Sequence, residues 1–292
     1  MTDQQESYAV SADPLFLQFP PWAGRASAGF DVNFLGQVTD VSFNAGWADA
    51  ERTADRDAWP PYPAISEEIF EWQMLLSAVR DARGTFTMFE MGAGYGRWLV
   101  SAACALRMRH PGMPSRLVGV EAEPQHFHWM EKHFRDNGID PQEHHLVLGA
   151  VDDKDGEVLL VFGDDPSAWY GQYVVANAGD RIESRPNTGA QLVRSFTIDA
   201  LLADVDRVDF MDFDIQGAEI RAIPSAIAAM TKKVKRVFVE IHGFETDAPV
   251  ADAFSNNGWL QLHRYTAGNT LTPFGQVELQ EGVQCWLNPA LK

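Results

Sequence analysis

From Ser66 onward the apolar positions fall into alternating helix-like and strand-like runs. Ile69, Trp72, Leu75, Leu76 and Val79 recur at helical spacing. That predicts a helix with Ser66 as its N-cap, Glu67 and Glu68 in its first turn and Gly84 just past its end. The strand FTMFEM then leads into a helix over Arg97 to Arg109, and RLVGVEA into a helix over Gln125 to Asn137. HLVLGAV and EVLLVF read as short strands around the turn DDKDG. Further helices over Ile198 to Leu202, Ala218 to Ala229 and around Val250 to Asn257 alternate with VDFMDFD and RVFVEIH. LQLHRY and VQCWL close the chain as an antiparallel pair. Alternation of this kind predicts an α/β fold, doubly wound around a mostly parallel sheet.

Residues 1–65 read differently. LQFPPWAG, NFLGQ and DAWPPYP are rich in Pro, Gly and aromatic residues without sustained periodicity. The division is therefore an N-terminal arm or cap over 1–65, suited to covering the body or to homo-oligomerisation, and a main domain over 66–292. The segment from Gly163 to Arg194 also lacks periodicity and is long for a loop, the signature of a lid. In it, Trp169, Tyr170 and Tyr173 could stack on an apolar sugar face, and Arg181 or Arg185 could meet an acid.

Ligands of doubly wound sheets bind beyond the carboxyl ends of the strands. There the chain carries FEMGAGYGRW, with Gly92, Gly94 and Gly96 at every second position. A dinucleotide site needs G-x-G-x-x-G, and the third glycine of that pattern would fall on Arg97. Glu90, two residues before the first glycine, would repel a pyrophosphate but welcome an amino group and a sulfonium. The spacing favours S-adenosylmethionine over NAD. Glu121, at the end of the next strand, suits the two ribose hydroxyls of a nucleoside, and is preferred to Glu123, which lies beyond the strand.

Charge narrows the partners. A formal net charge of -18 argues against nucleic acid and against an anionic membrane surface. No apolar run approaches the ~20 residues of a membrane span, and MTDQQESYAV is not a signal peptide. Cys104 and Cys285 make neither a disulfide framework nor a metal-ligand spacing, so a reduced, cytoplasmic location is expected.

FEMGAGYGRW, VGVEAEPQHFHWMEKHF, FTIDALL, VDFMDFDIQGAEI and VFVEIHG occur in the order found in FkbM-type S-adenosylmethionine-dependent methyltransferases, which the chain resembles over about residues 66–265. The resemblance implies a class I methyltransferase fold, Rossmann-like, with a seven-stranded sheet and an antiparallel terminal strand. It implies O-methylation of a hydroxyl on a sugar, glycan precursor or natural product. Glu90, Gly92, Gly94 and Gly96 would then hold the methionine part, Glu121 the ribose, and Ala150 and Val151 would flank the adenine, with Ala93 and Ala122 as further cofactor contacts. Asp214 and Glu219 match the acids of the family's D-x-E-G-x-E pattern, placing Asp214 beside the cofactor and Glu219 beside the acceptor. The chain departs from the family at Gln216, usually Glu, and at Asp212, often Lys.

Methyl transfer to an alcohol needs alignment and a proton acceptor. His242, ending VFVEIH, is the candidate base, with Asp214 to orient it or to act as base itself. A Mg²⁺ ion held by Asp212 and Asp214, with Glu240 and His242 on adjacent strand ends, is the rival arrangement. Trp169 and Tyr170 are the candidate acceptor contacts. His144 and His145 read as structural. A non-catalytic S-adenosylmethionine-binding or assembly protein is the alternative function, and a nicotinamide oxidoreductase a more distant one.

Overall fold

The structure is a computed structural model that describes residues 9–47, 50–175 and 188–291. Arg181 and Arg185 lie outside the described residues. Seven strands build the main sheet: β1 Phe86–Met91, β2 Ser115–Glu121, β3 His145–Leu148, β4 Phe210–Phe213, β5 Arg236–Ile241, β6 Leu260–Tyr265 and β7 Gly282–Leu287. Their order is β6-β7-β5-β4-β1-β2-β3, and β7 runs antiparallel to both its neighbours while the other pairs are parallel. The order reverses between β1 and β4, so a crevice opens beyond their carboxyl ends. This is the class I methyltransferase sheet.

β1 is buried at all six positions, as a central strand covered on both faces must be, and four of the six residues of FTMFEM are apolar. Helices α1 Ile69–Arg80, α2 Arg97–Arg109, α3 Pro124–Asp136, α4 Ile198–Leu201, α5 Glu219–Lys233 and α6 Phe244–Ser255 cover the sheet. Ser66 does not cap α1 with its side chain; the Glu68 residue occupies the cap position without a capping bond, because its carboxylate is engaged by Arg97 instead. α5 continues four residues past Ala229, where Lys232 and Lys233 meet the negative end of the helix. α6 starts ahead of Val250, with Glu245 and Asp247 in its first turn.

The described residues between Gly163 and Arg194 are not a free lid. Among them, Tyr173–Val175 and the first residues of Thr188–Phe196 are strands. With Gly156–Gly163 and Ala150–Val151 they form a second, four-stranded sheet. Periodicity hid it because Leu192 in the long strand is 67% exposed, so no face of that strand reads as consistently apolar.

The arm packs onto the body through aromatic side chains. Phe16, Phe19, Phe34 and Phe43 are buried; Phe34 meets Trp72 of α1 with ring centroids 5.1 Å apart, and Phe43 stacks on Trp129 of α3. Polar bonds set its register. Asn137, after α3, accepts from the Val38 N–H at 2.9 Å and donates to the Val38 carbonyl at 2.8 Å. Asn137→Ala removes both and is expected to cost about 2 kcal/mol, read as a lower urea midpoint at unchanged slope. Cys104 and Cys285 are both buried free thiols. Among the described residues, no helix is long and apolar enough to cross a membrane.

Candidate active site

The loop after β1 is folded by contacts that only glycine permits. Gly92 has φ +79°, and a Cβ there would lie 1.7 Å from the Asp214 carbonyl oxygen. Its N–H and that of Ala93 both donate to the Val120 carbonyl, while the Asp214 N–H donates to the Met91 carbonyl, so the ends of β1, β2 and β4 are tied into one rim. Gly96 has φ +72° at the N-terminus of α2, where a Cβ would sit 2.8 Å from Met130 Cγ. The G-x-G-x-G spacing thus answers to strand contact at one end and helix contact at the other.

Two buried acids hold this rim. Glu90 accepts from the Trp98 and Leu99 N–H groups at 3.3 and 2.9 Å, closing the start of α2. Glu121 accepts from the Gly94 and Glu123 N–H groups, both at 2.7 Å. Burial raises the Glu90 carboxyl to about 8 and Glu121 to about 7, against the opposing pull of these bonds. Glu123 instead caps α3 by accepting from the His126 N–H at 2.6 Å.

The rim encloses a cavity of about 260 Å³. Glu90, Gly92, Ala93, Gly94, Glu121, Ala122, Ala150, Val151, Asp212 and Asp214 line it, so most of the residues expected from sequence are brought to one place. Gly96 is near but packs against Met130 rather than facing the cavity. Tyr170 also lines it, with its ring stacked 4.3 Å from His126 and its hydroxyl donating to the Phe43 carbonyl of the arm.

Two expected acceptor contacts are elsewhere. The Trp169 ring lies against Gly163 and Gly171 of its own loop, where an added Cβ would come within 2.3 and 2.7 Å of it. Glu219 is fully buried, and its two oxygens accept from the Ile215 and Gly217 N–H groups at 2.9 and 2.7 Å. Its work is to fold the DIQGAE turn.

His242 stands behind that turn rather than in the cavity wall. Its Nδ1 is 3.1 Å from Glu219 Oε1, and its Nε2 is 3.4 Å from Asp214 Oδ1 and 2.9 Å from Gln216 Nε2. Gln216, with φ +51°, also donates to Asp214 Oδ1 at 2.6 Å. A neutral ring would accept from Gln216; a cationic one faces Asp214. Burial opposes the charge, but Glu219, Asp214 and Glu240 outweigh it and raise His242 to about 9, which favours the cation. An imidazolium between two carboxylates has no lone pair for a base. His242, the residue expected to take the proton, is not among those lining the cavity. Asp214, whose carboxyl burial raises despite His242, is the group exposed to the cavity.

The metal expectation changes too. Among the described residues, the ligand atoms that gather within 4.8 Å belong to Asp214, Glu240 and His242; Asp212 is not with them. The site also contains residues that sequence reading left out. Glu67, Glu68 and Glu71 from the start of α1 line the cavity with Glu240 and Arg97. Arg97 grips Glu68 through both guanidinium nitrogens at 2.5 and 2.6 Å.

The raised carboxyls and imidazole predict a pH dependence. Glu90 and Glu121 bind a proton more tightly folded than unfolded, from about pH 4.5 up to about 7 or 8, and His242 does so from about 6.5 to about 9. Across those windows the native state holds more protons, so this stability is full at the acid end and lost as pH rises. The ligand-free protein should therefore melt at a lower temperature at about pH 9 than at about pH 6, as differential scanning fluorimetry would record.

The family model described as Methyltransferase FkbM domain matches residues 90–265. A protein of Jannaschia sp. (strain CCS1) named "Putative methyltransferase" is 24% identical over 277 residues, covering 94% of this chain and 98% of its own. Methyltransferase FkbM from Methylobacillus flagellatus KT has a TM-score of 0.44 at 13% identity, covering 71% of this chain and 45% of that one. Precorrin-6y C5,15-methyltransferase from Geobacter metallireducens GS-15 has a TM-score of 0.41 at 12% identity, covering 77% and 89%. The family match extends over more than half of the sequence, from Glu90 at the end of β1 to Tyr265 at the end of β6. The chain belongs to the FkbM family of S-adenosylmethionine-dependent methyltransferases.

Proposed function

We propose that this methyltransferase acts on a hydroxyl group of a small molecule, a sugar, glycan precursor or natural product, with Asp214 as the proton acceptor. The observation that carries the reading is that the Asp214 carboxylate faces the same cavity as the glycine rim, while Gln216 and His242 hold it from behind. S-adenosylmethionine supplies the methyl group. The rim suits it: Gly92 leaves no room for a side chain, Glu121 offers remaining lone pairs for a ribose diol, and Ala150 and Val151 give a small apolar wall for adenine. Glu90, Gly92, Ala93 and Gly94 take the amino acid tail.

Transfer from a sulfonium is an in-line displacement, so most of the catalysis lies in holding the acceptor oxygen in line. Asp214 both orients that hydroxyl and accepts its proton as the oxygen becomes bonded to carbon. Its raised affinity for a proton brings it closer to the working pH, where a carboxylate is a more effective base. We assign the local positive charge to His242 rather than to Mg²⁺: the imidazolium is itself one of the three groups that a metal would share, beside Asp214 and Glu240.

Replacing Glu121 by Gln keeps the shape and removes the charge. Loss of charge-assisted bonds to the ribose should weaken S-adenosylhomocysteine about 10- to 100-fold, corresponding to about 1.5–3 kcal/mol. Isothermal titration measures it, and unchanged affinity would remove Glu121 from the cofactor site. Release of S-adenosylhomocysteine from S-adenosylmethionine, screened over hydroxyl-bearing sugars and natural products, tests the reaction itself. Tight cofactor binding with turnover on none of them would favour a non-catalytic, assembly role.

A further inference from the structure

We infer that the acceptor carries a protonated amine, received by Glu71, Asp212 and Glu240 on the α1 side of the cavity. The inference rests on reading the cavity as a joint site for S-adenosylmethionine and acceptor, and names the chemical class of the latter.

Eight carboxylates line the cavity against one guanidinium, that of Arg97. Most of the eight have work already. Glu90 and Glu121 hold backbone N–H groups of the rim. Glu68 is paired with Arg97, Glu67 accepts from the Gln280 N–H at 2.8 Å, and Asp214 accepts from Gln216. Three remain. Asp212 is 3% exposed, and its Oδ1 is buried without a hydrogen-bond partner. Among the described residues, no hydrogen bond or ion pair reaches the Glu71 or Glu240 carboxylate. A buried acceptor without a donor is costly, so the unpartnered Asp212 Oδ1, facing one space with the Glu71 and Glu240 carboxyls, points to a donor that arrives with a ligand.

The topology explains how they meet. Asp212 stands in register with Glu90 across β4 and β1. Phe213 is in register with Val239, so Glu240 comes next along β5, beside the end of β4. α1 packs over β4 and β5 and brings Glu71 down on the same face. Asp212 and Glu240 each make the Glu71 charge harder to form, in addition to burial. An incoming cation relieves that repulsion for all three at once.

The donor's own charges do not use this patch up. The cofactor brings a sulfonium, an ammonium and a carboxylate, one net positive charge, and its amino acid tail belongs at the rim. An alkylammonium offers three N–H donors and no acceptor, matching the unpartnered Asp212 Oδ1 and the neighbouring Glu71 and Glu240 carboxyls. A compact metal ion matches less well, because the ligand atoms close enough to share one do not include Glu71 or Asp212. Glu67, Glu68 and Glu71 also precede the residues 90–265 that match the family model, so this wall belongs to a part of the chain outside the matched domain.

The test uses the full-length protein saturated with S-adenosylhomocysteine. Isothermal titration would compare two pairs of probes that differ in the ammonium: glucosamine with N-acetylglucosamine, and ethanolamine with ethylene glycol. The inference expects the ammonium member of at least one pair to bind 10-fold or more tightly, and Glu71→Gln to abolish that preference. S-adenosylhomocysteine affinity and melting temperature should be retained in the variant. Equal binding within both pairs would overturn it. So would a fall in S-adenosylhomocysteine affinity in Glu71→Gln matching the loss of amine binding, because that would assign the carboxylate to the cofactor's own ammonium. Failure of the wild-type protein to bind S-adenosylhomocysteine at all would overturn the cofactor assignment, and this inference with it.

Discussion

Gly92→Ala will lose S-adenosylhomocysteine binding by at least about 100-fold, corresponding to about 2.7 kcal/mol or more. Two costs combine. The residue must keep φ +79°, which an L side chain disfavours by about 1 kcal/mol or more, and its Cβ would overlap the Asp214 carbonyl oxygen at 1.7 Å. The second cost is the larger, because that oxygen is backbone and cannot rotate away. Relief requires the ends of β1 and β4 to part, which moves Asp214 and breaks the rim. Gly84→Ala is the control, since Gly84 has φ +71° with nothing within 4 Å of an added Cβ. It should cost stability and leave binding intact. Titration together with melting curves separates a broken site from a broken fold; normal affinity in Gly92→Ala would show that the rim does not bind the cofactor.

Asp214→Asn carries the second large effect. With an acceptor in hand, kcat should fall by about 10²- to 10⁴-fold, the range for a lost general base. S-adenosylhomocysteine affinity should change by less than about tenfold, since Asn keeps the shape and Asp214 meets the rim through its backbone N–H and carbonyl, which the substitution leaves in place. In the wild type, kcat/KM should rise with pH as Asp214 ionises, with its limb above the ordinary Asp range because burial holds the carboxyl up. The Asn variant should lack that limb. His242 acts through Asp214 and Gln216, so His242→Gln should shift the limb and lower kcat less than Asp214→Asn does. A His242 variant as impaired as Asp214→Asn, with the Asp214 variant active, would return the base to the imidazole.

Much of this arrangement could be read from the chain because it is local. The β1 run, the glycine loop and α2 are consecutive, and their periods and turn residues point to one strand-turn-helix unit. Glu121 could be told from Glu123 because a residue inside a strand end and one just before Pro124 meet different fates: the first faces the crevice and the second caps a helix. Side chains whose partners come from distant segments were not legible. Glu219 looks like an acceptor ligand by motif, yet it is spent on the backbone N–H groups of a turn whose shape depends on Gln216 at positive φ. Trp169 looks like a sugar platform, yet the small surfaces of Gly163 and Gly171 take its ring. His242 directly follows the strand that ends at Ile241, but its charge depends on Glu219, Asp214 and Glu240 together. Glu67 and Glu68 read as ordinary first-turn acids, and Glu71 carries no signal of its own, until α1 is placed across β4 and β5.

The central claim is that the rim after β1 is a cofactor site closed by Asp214, and isothermal titration of the wild-type protein with S-adenosylhomocysteine tests it most directly. The account predicts one-to-one binding that is lost in Gly92→Ala and weakened in Glu121→Gln. No binding by the wild type, or binding undiminished in both variants, would contradict it.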